Sequence, residues 1–257
     1  MITLGNGQIA LGDCLDVMRS IPAGSVDMIL CDLPYGTTAC SWDSVITFEP
    51  LWSEYWRIVK PNAAVVLTAS QPFTSALVMS QIHRFKYEWI WEKSRPGDIF
   101  NAKNKPMKSH ENICVFSCGT TANGSDRRMV YNPQGVGNGG VKTNNPDDVI
   151  RAFKTGKRPS HKQNHITHGS NYPRSVYFCP NPNAGTIHPT QKPVALFEYL
   201  IRTYTNPGDV VMDNCLGSGT TAIAAENTGR RWMGIERDPT YFGKACERIA
   251  AHRPPVS

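Results

Sequence analysis

Apolar positions along the chain cluster into short continuous runs separated by stretches with helical spacing. Val26 to Cys31 (VDMILC) and Ala63 to Ala69 (AAVVLTA) are runs of strand length, and runs that are apolar on both faces belong to buried parallel strands. Between them Leu51 to Val59 (LWSEYWRIV) carries its apolar residues at helical spacing and stops at Lys60-Pro61. Pro72 to His83 predicts a second helix and Tyr87 to Trp91 a further strand. A βαβαβ order of this kind favours a parallel sheet with helices on both faces.

The same alternation returns after Pro189. Pro193 suits an early helical position, and Val194, Leu196, Phe197, Leu200, Ile201 and Tyr204 trace one apolar face. Then come a strand at Val210 to Met212, a glycine-rich turn, a helix from about Thr220 closed by Gly229, a strand at Trp232 to Ile235 and a helix from Pro239. From 95 to 187 the pattern gives way to Gly, Asn, Pro, Lys and Arg, with Ile113 to Ser117 the one buried strand. Long loops inside a domain are usually functional or disordered. The expected organisation is therefore one α/β domain over residues 1–257 with 95–187 as an inserted, loop-rich region.

Composition bounds the rest. With 257 residues, 40% of them hydrophobic and 19% charged, the chain can bury a sizeable core in one domain. The start shows no basic stretch followed by an apolar one, and no eighteen apolar residues run together, so a cytoplasmic protein without a membrane span is expected. The eight cysteines show no C-x-x-C pairing and read as free thiols. Neither Cys114 with Cys118 nor His161, His165 and His168 has a second ligand group nearby, so no metal is expected. Charge adds more: residues 95–187 hold 13 Lys and Arg against five Asp and Glu, while the whole chain is only +6. The basic excess sits in the middle, where it can follow a phosphate backbone.

Two local motifs carry chemistry. The Val26 to Cys31 run stops on Asp32-Leu33-Pro34-Tyr35, which sets an acid, a proline and an aromatic ring together at a strand end. Asp213-Asn214-Cys215-Leu216-Gly217-Ser218-Gly219-Thr220-Thr221 is strand, glycine turn and helix, and Glu236 ends the next strand 23 residues after Asp213. Glycines there let a backbone approach a ligand, and an acid so placed reaches ribose hydroxyls. Taken literally, Gly217-x-Gly219-x-x-Ala222 with Glu236 is a nicotinamide-cofactor fingerprint, but about twenty residues after Glu236 are too few to complete a dehydrogenase. A circularly permuted sheet removes the difficulty, because its N-terminal strands complete what the C-terminal βαβ unit begins.

In this order the motifs resemble the β-group of S-adenosylmethionine-dependent DNA amino-methyltransferases, which modify an exocyclic amine of adenine or cytosine, and most of all adenine-modifying members from phages and restriction-modification systems. The likeness also takes in Gly12-Asp13 and His188-Pro189-Thr190-Gln191-Lys192-Pro193 and covers nearly the whole chain. Leu33 stands where the group usually has proline, and Asn214-Cys215 where Pro-Phe is common. The resemblance implies a Rossmann-like fold, S-adenosylmethionine as cofactor and double-stranded DNA as partner, with a homodimer common in the group. It implies that Asp32, Leu33, Pro34 and Tyr35 hold one flipped base, the carboxylate and the Leu33 carbonyl aimed at the amine and the tyrosine ring offered for stacking. Asp213, Cys215, Gly217, Ser218, Gly219 and Thr220 would form the cofactor turn, with Glu236 on the ribose, Asp13 on the adenine amine and Lys192 closing the pocket. Lys103, Lys105, Lys108, Arg127, Arg128, Arg158 and Lys162 are the candidate DNA contacts. Adenine N6 is the expected target, with cytosine N4, a nicotinamide-dependent enzyme and a catalytically silent DNA-binding protein as alternatives.

Overall fold

The computed structural model describes residues 1–36, 43–137, 142–144, 165–167, 171–182, 186–187 and 190–252. Its strands, in chain order, are β1 (Ile2–Leu4), β2 (Gly7–Leu11), β3 (Val26–Asp32), β4 (Val59–Ala69), β5 (Phe85–Gly97), β6 (Lys108–Ser117), β7 (Lys142–Asn144), β8 (His165–Thr167), β9 (Val176–Phe178), β10 (Val210–Asp213) and β11 (Arg231–Glu236). The helices are α1 (Cys14–Met18), α2 (Phe48–Ile58), α3 (Phe73–Ser80), α4 (Val194–Tyr204), α5 (Thr220–Asn227) and α6 (Pro239–Ala251).

Nine strands form one sheet in the order β1-β2-β11-β10-β3-β4-β6-β5-β9, and β7 and β8 pair separately. The five neighbours β2, β11, β10, β3 and β4 are parallel. The C-terminal unit β10–α5–β11 thus lies between the N-terminal strands β2 and β3, so the two ends of the chain build adjoining strands of one sheet. The mostly parallel α/β fold agrees with the sequence, with one difference. The strand expected at Tyr87 to Trp91 is not the next parallel neighbour of β4, because β6 lies between them and is antiparallel to both. β5 and β6 are also longer than their apolar runs, since they continue as a hairpin beyond the core. The 95–187 segment accordingly begins inside β5 and supplies β6 and β9 to the main sheet.

Period-two alternation explains why the strand runs look uniformly apolar. Along β3, Met28 and Leu30 face one core while Ile29 and Cys31 face the other; Ala64 and Val66 against Val65 and Leu67 do the same on β4. The first core is closed by α4, α5 and α6, through Phe197, Leu200, Ala224 and Ile249, and the second by α1, α2 and α3, through Met18, Trp52, Tyr55 and Leu77. Burying side chains such as Phe197 or Leu200 contributes about 1.5–3 kcal/mol each. Trp89 and Trp91 belong to the core, as their strand spacing predicts, and each indole N–H is satisfied, on the Tyr204 hydroxyl at 2.6 Å and the Cys179 carbonyl at 2.8 Å. Helix ends follow local chemistry: Asp238 caps α6 by accepting from the Thr240 and Tyr241 N–H groups, and α3 ends early, at Ser80, where Gln81 leaves helical geometry at φ −144°. Among the described residues no helix is long and apolar enough to cross a membrane.

Candidate active site

The carboxyl ends of the parallel strands open onto a cleft of about 600 Å³. A volume of that size holds a drug-sized ligand. Asp32, at the end of β3, and the Gly217–Gly219 region, after β10, both line it, because β3 and β10 are adjacent and parallel. Parallel neighbours deliver their C-terminal residues to the same edge, and ligands bind at that edge.

Asp32 is fixed by three partners. One carboxylate oxygen accepts from the Tyr35 hydroxyl at 2.7 Å and from the Thr68 hydroxyl. The other accepts from the Lys192 ammonium at 2.7 Å. Thr68 arrives by register, as the residue on β4 that faces Asp32. A carboxylate offers about four lone-pair positions, so one acceptor position on the second oxygen is left for a ligand. The Leu33 side chain is buried at 4% exposure in the second core, which anchors the turn from below. The ring of Tyr35 stacks on Phe73 with centroids 5.2 Å apart, and the Lys192 ammonium stands 5.7 Å from its centre. Burial, with the Asp32 charge beside it, pushes the Tyr35 phenol well above its ordinary value, so it remains a proton donor to Asp32.

Lys192 joins the two walls of the cleft. Its carbonyl lies 3.4 Å from the Thr220 hydroxyl beside the glycine turn, but its ammonium crosses the cleft to Asp32 and to Glu111 on β6, 3.2 Å away. The second oxygen of Glu111 takes Lys93. Burial alone would lower the Lys192 ammonium, and the Asp32 and Glu111 charges outweigh it and raise it. Burial would likewise raise Glu111, and Lys192 and Lys93 outweigh it and hold it below the usual carboxylate range. Glu111 was not foreseen as a site residue. An acid heading the apolar run Ile113 to Phe116 is the sequence signal that marks it.

On the opposite wall the turn is built around its acids. Gly217 and Gly219 have φ of 52° and 79°, values that glycine adopts without cost. Glu236 accepts from the Gly217 N–H at 2.7 Å and the Asp238 N–H at 2.8 Å, and so holds the turn while lining the cleft. Asp213 is buried and accepts from the Cys215 N–H at 2.9 Å and the Thr221 hydroxyl; burial pushes its carboxyl up to about 6. Ser218 and Thr220 are tied to Arg248 of α6. Asp13 caps α1 through the Leu15 N–H at 2.8 Å and also lines the cleft. Beneath the turn the thiols of Cys14, Cys31 and Cys215 lie together, and all three are raised, Cys31 to about 12 through burial. They are held as thiols rather than nucleophilic thiolates.

The basic candidates divide. Lys103 and Lys105 sit on the exposed β5–β6 hairpin, Lys105 paired with Asp98 at 2.7 Å, and Lys108 lines the cleft. Arg127 and Arg128 lie near Thr120, past the end of β6 that pairs with Ala64, at the sheet edge away from the cleft, so the structure does not bring them to the site. Arg158 and Lys162, like His161 and His168, lie outside the described residues, as do His188 and Pro189. Among the described residues no group of three His, Cys, Asp or Glu side chains is arranged to hold a metal ion.

Comparison with known proteins places the chain. The profile of the N6/N4 DNA methylases, described as DNA methylase, matches residues 26–247. The chain is similar to the DNA adenine methyltransferase YhdJ of Escherichia coli (strain K12), with 28% identity over 269 residues covering 94% of this chain and 82% of that protein. Among solved structures it resembles the M1.HpyAVI complex with S-adenosylmethionine, at TM-score 0.63 and 24% identity, covering 95% of this chain and 98% of that one. It also resembles the cytosine-N4-specific PvuII DNA methyltransferase, at TM-score 0.64 and 16% identity over 99% and 89% of the two chains.

Proposed function

The chain belongs to the N6/N4 DNA methylase family, and on that premise we propose that it methylates adenine N6 in duplex DNA, with S-adenosylmethionine as methyl donor and the target base turned out of the helix. The observation that carries this reading is the shared cleft, in which the Asp32 carboxylate faces the acid-lined glycine turn. The donor set fits the cofactor: two glycines at positive φ give close backbone approach, and Asp13, Asp213 and Glu236 line the wall that would take its hydroxyl and amine groups and its positive charge. When bound, the cofactor supplies a methyl group already activated by a sulfonium.

The exocyclic amine of adenine is a weak nucleophile because its lone pair is delocalised into the ring. The free acceptor position on Asp32 takes one N–H, and the Leu33 carbonyl takes the other. Two acceptors at fixed angles bend the nitrogen toward tetrahedral geometry and turn its lone pair to the methyl carbon. Such preorganisation supplies most of the rate. Tyr35 and Thr68 keep the carboxylate in one rotamer, and Phe73 keeps the tyrosine ring in place.

The assignment of adenine rests on the likeness to an adenine methyltransferase and on the leading acid of the tetrad. Labelled methyl transfer to duplex DNA, followed by digestion to nucleosides, is expected to yield N6-methyladenine. Recovery of N4-methylcytosine in its place would overturn the base assignment.

Base extrusion leaves a gap in the stack, and the hairpin beside the cleft carries what can fill it. Phe100 is 98% exposed, next to Ile99 and with Met107 across the hairpin, flanked by Lys103 and Lys105. Apolar side chains inserted between base steps, with lysines on the phosphates, are a known way to hold distorted duplex. Phe100→Ala is expected to lower single-turnover transfer to duplex by about 10-fold, from the loss of one stacking contact, and to spare single-stranded DNA. An equal loss on both substrates would rule out this use of the hairpin.

A further inference from the structure

The Asp32 site contains a second carboxylate with no assigned task. Glu111 is 9% exposed and Lys192 6%, and both line the cleft together with Lys93. The Glu111 oxygen nearest Lys192 is fully hidden from solvent, and the ammonium 3.2 Å away is its ion-pair partner. The same ammonium lies closer to Asp32, at 2.7 Å, so the two carboxylates share it unequally. Buried charges are costly unless well paired, so two carboxylates sharing one buried ammonium in a cleft call for a reason.

The reaction proposed above provides one. As the new C–N bond forms, the C–S bond breaks and its electron pair returns to sulfur, leaving the methylated nitrogen with one proton too many. Asp32 is the nearest base, yet in the free site one of the two acceptor positions of its second oxygen is taken by an ammonium. We infer that Glu111 and Lys192 are positioning residues for methyl transfer: Glu111 offers the Lys192 ammonium a second seat, which releases Asp32 to take the amine proton. Lys192 keeps all its own protons throughout. Before the step Asp32 and Glu111 balance Lys192 and Lys93; afterwards Asp32 is neutral, Lys192 has turned fully to Glu111, and the proton leaves from Asp32 through the open mouth of the cleft. The groups facing the cluster are consistent with this. Tyr35 and Thr68 donate to Asp32 from its own strand end and from β4, Lys93 faces Glu111 from β5, Lys108 bears on it from the start of β6, and Asp213 adds a negative charge from β10.

This inference rests on the methyltransferase reading, and its test has one arm that does not. In the first arm, Glu111→Gln removes the second seat while keeping size and an acceptor for Lys93. Single-turnover transfer is expected to fall by about 100-fold, the lower end of what a positioned proton acceptor contributes, with cofactor affinity and the KM for DNA unchanged. Full transfer by this variant would overturn the inference, as would a loss confined to KM. In the second arm, carboxyl carbon NMR follows Glu111 in protein without DNA or cofactor. Lys192→Met is expected to move the Glu111 titration midpoint upward by about one pH unit or more, because the counter-charge that holds it down is gone, and Lys192→Arg is expected to restore the wild-type midpoint. A midpoint unmoved by Lys192→Met would overturn the coupling. Wild-type protein that transfers no methyl would sink the proposed function and leave this titration to decide the coupling by itself.

Discussion

Replacing Asp32 by alanine is expected to cut methyl transfer by about 1,000-fold while leaving cofactor binding intact. Loss of one preorganised partner of a reacting group costs on the order of 10²–10³ in rate, and Asp32 both orients the amine and accepts its proton. The fold should tolerate the change, because the groups left behind have other partners. Lys192 retains Glu111 at 3.2 Å, and the Tyr35 hydroxyl is already 3.0 Å from the Thr68 hydroxyl. The glycine turn is held by Glu236 and Arg248, neither of which touches Asp32, so the cofactor wall should not move. Labelled-methyl transfer and calorimetric titration of the cofactor on the same preparation check both halves. Transfer near the wild-type rate would remove Asp32 from the mechanism; loss of cofactor binding would show that the two walls are not separable.

What the sequence revealed follows from how far each feature depends on distant residues. β3, β4 and β10 were legible because both faces of each strand are buried, which leaves a continuous apolar run. α4 was legible because only one of its faces is. The glycine turn and the Asp32 tetrad were legible because their chemistry is local, set by conformations and side chains within a few residues. The insertion of β6 between β4 and β5 was not, since strand order is decided by pairing across the sheet and leaves no local mark on either strand. The β1–β2 hairpin and the one-turn-long α1 are too short for a period to show. Charge alone placed Arg127 and Arg128 with Lys103, although the antiparallel course of β6 carries the two arginines to the far edge of the sheet. The motif around Lys192 marks it as a cleft residue, but nothing local to it signals that its ammonium reaches Asp32 while its backbone stays by Thr220. Glu111 was overlooked since an acid at a strand end looks solvated until the sheet places a lysine on either side of it.

Asp213 presents the second large effect, this time on stability. Its carboxyl is 3% exposed and is raised from 3.8 to about 6 by burial. A raised carboxyl means that folding favours the protonated form: that contribution is fully present below about pH 4 and is lost as pH rises through about 6. At pH 8 the folded protein therefore carries a buried charge costing about 3 kcal/mol relative to its neutral form. Asp213→Asn keeps an acceptor for the Cys215 N–H, and its amide can donate to the Thr221 hydroxyl, so the local bonds survive. The variant is expected to melt several degrees above wild type at pH 8, with the difference vanishing near pH 4. What the carboxylate gives in exchange is attraction for a cationic ligand on the wall it lines. Cofactor affinity of the wild type should then fall as pH drops through about 6, and that of Asp213→Asn should be weaker at pH 8 and nearly flat across the same range. Thermal scans from pH 4 to 8, with and without S-adenosylmethionine, measure both trends at once. Parallel pH profiles for the two proteins would mean that Asp213 does not titrate in this range, and that its burial is offset by the hydrogen bonds of Cys215 and Thr221 rather than by the cofactor.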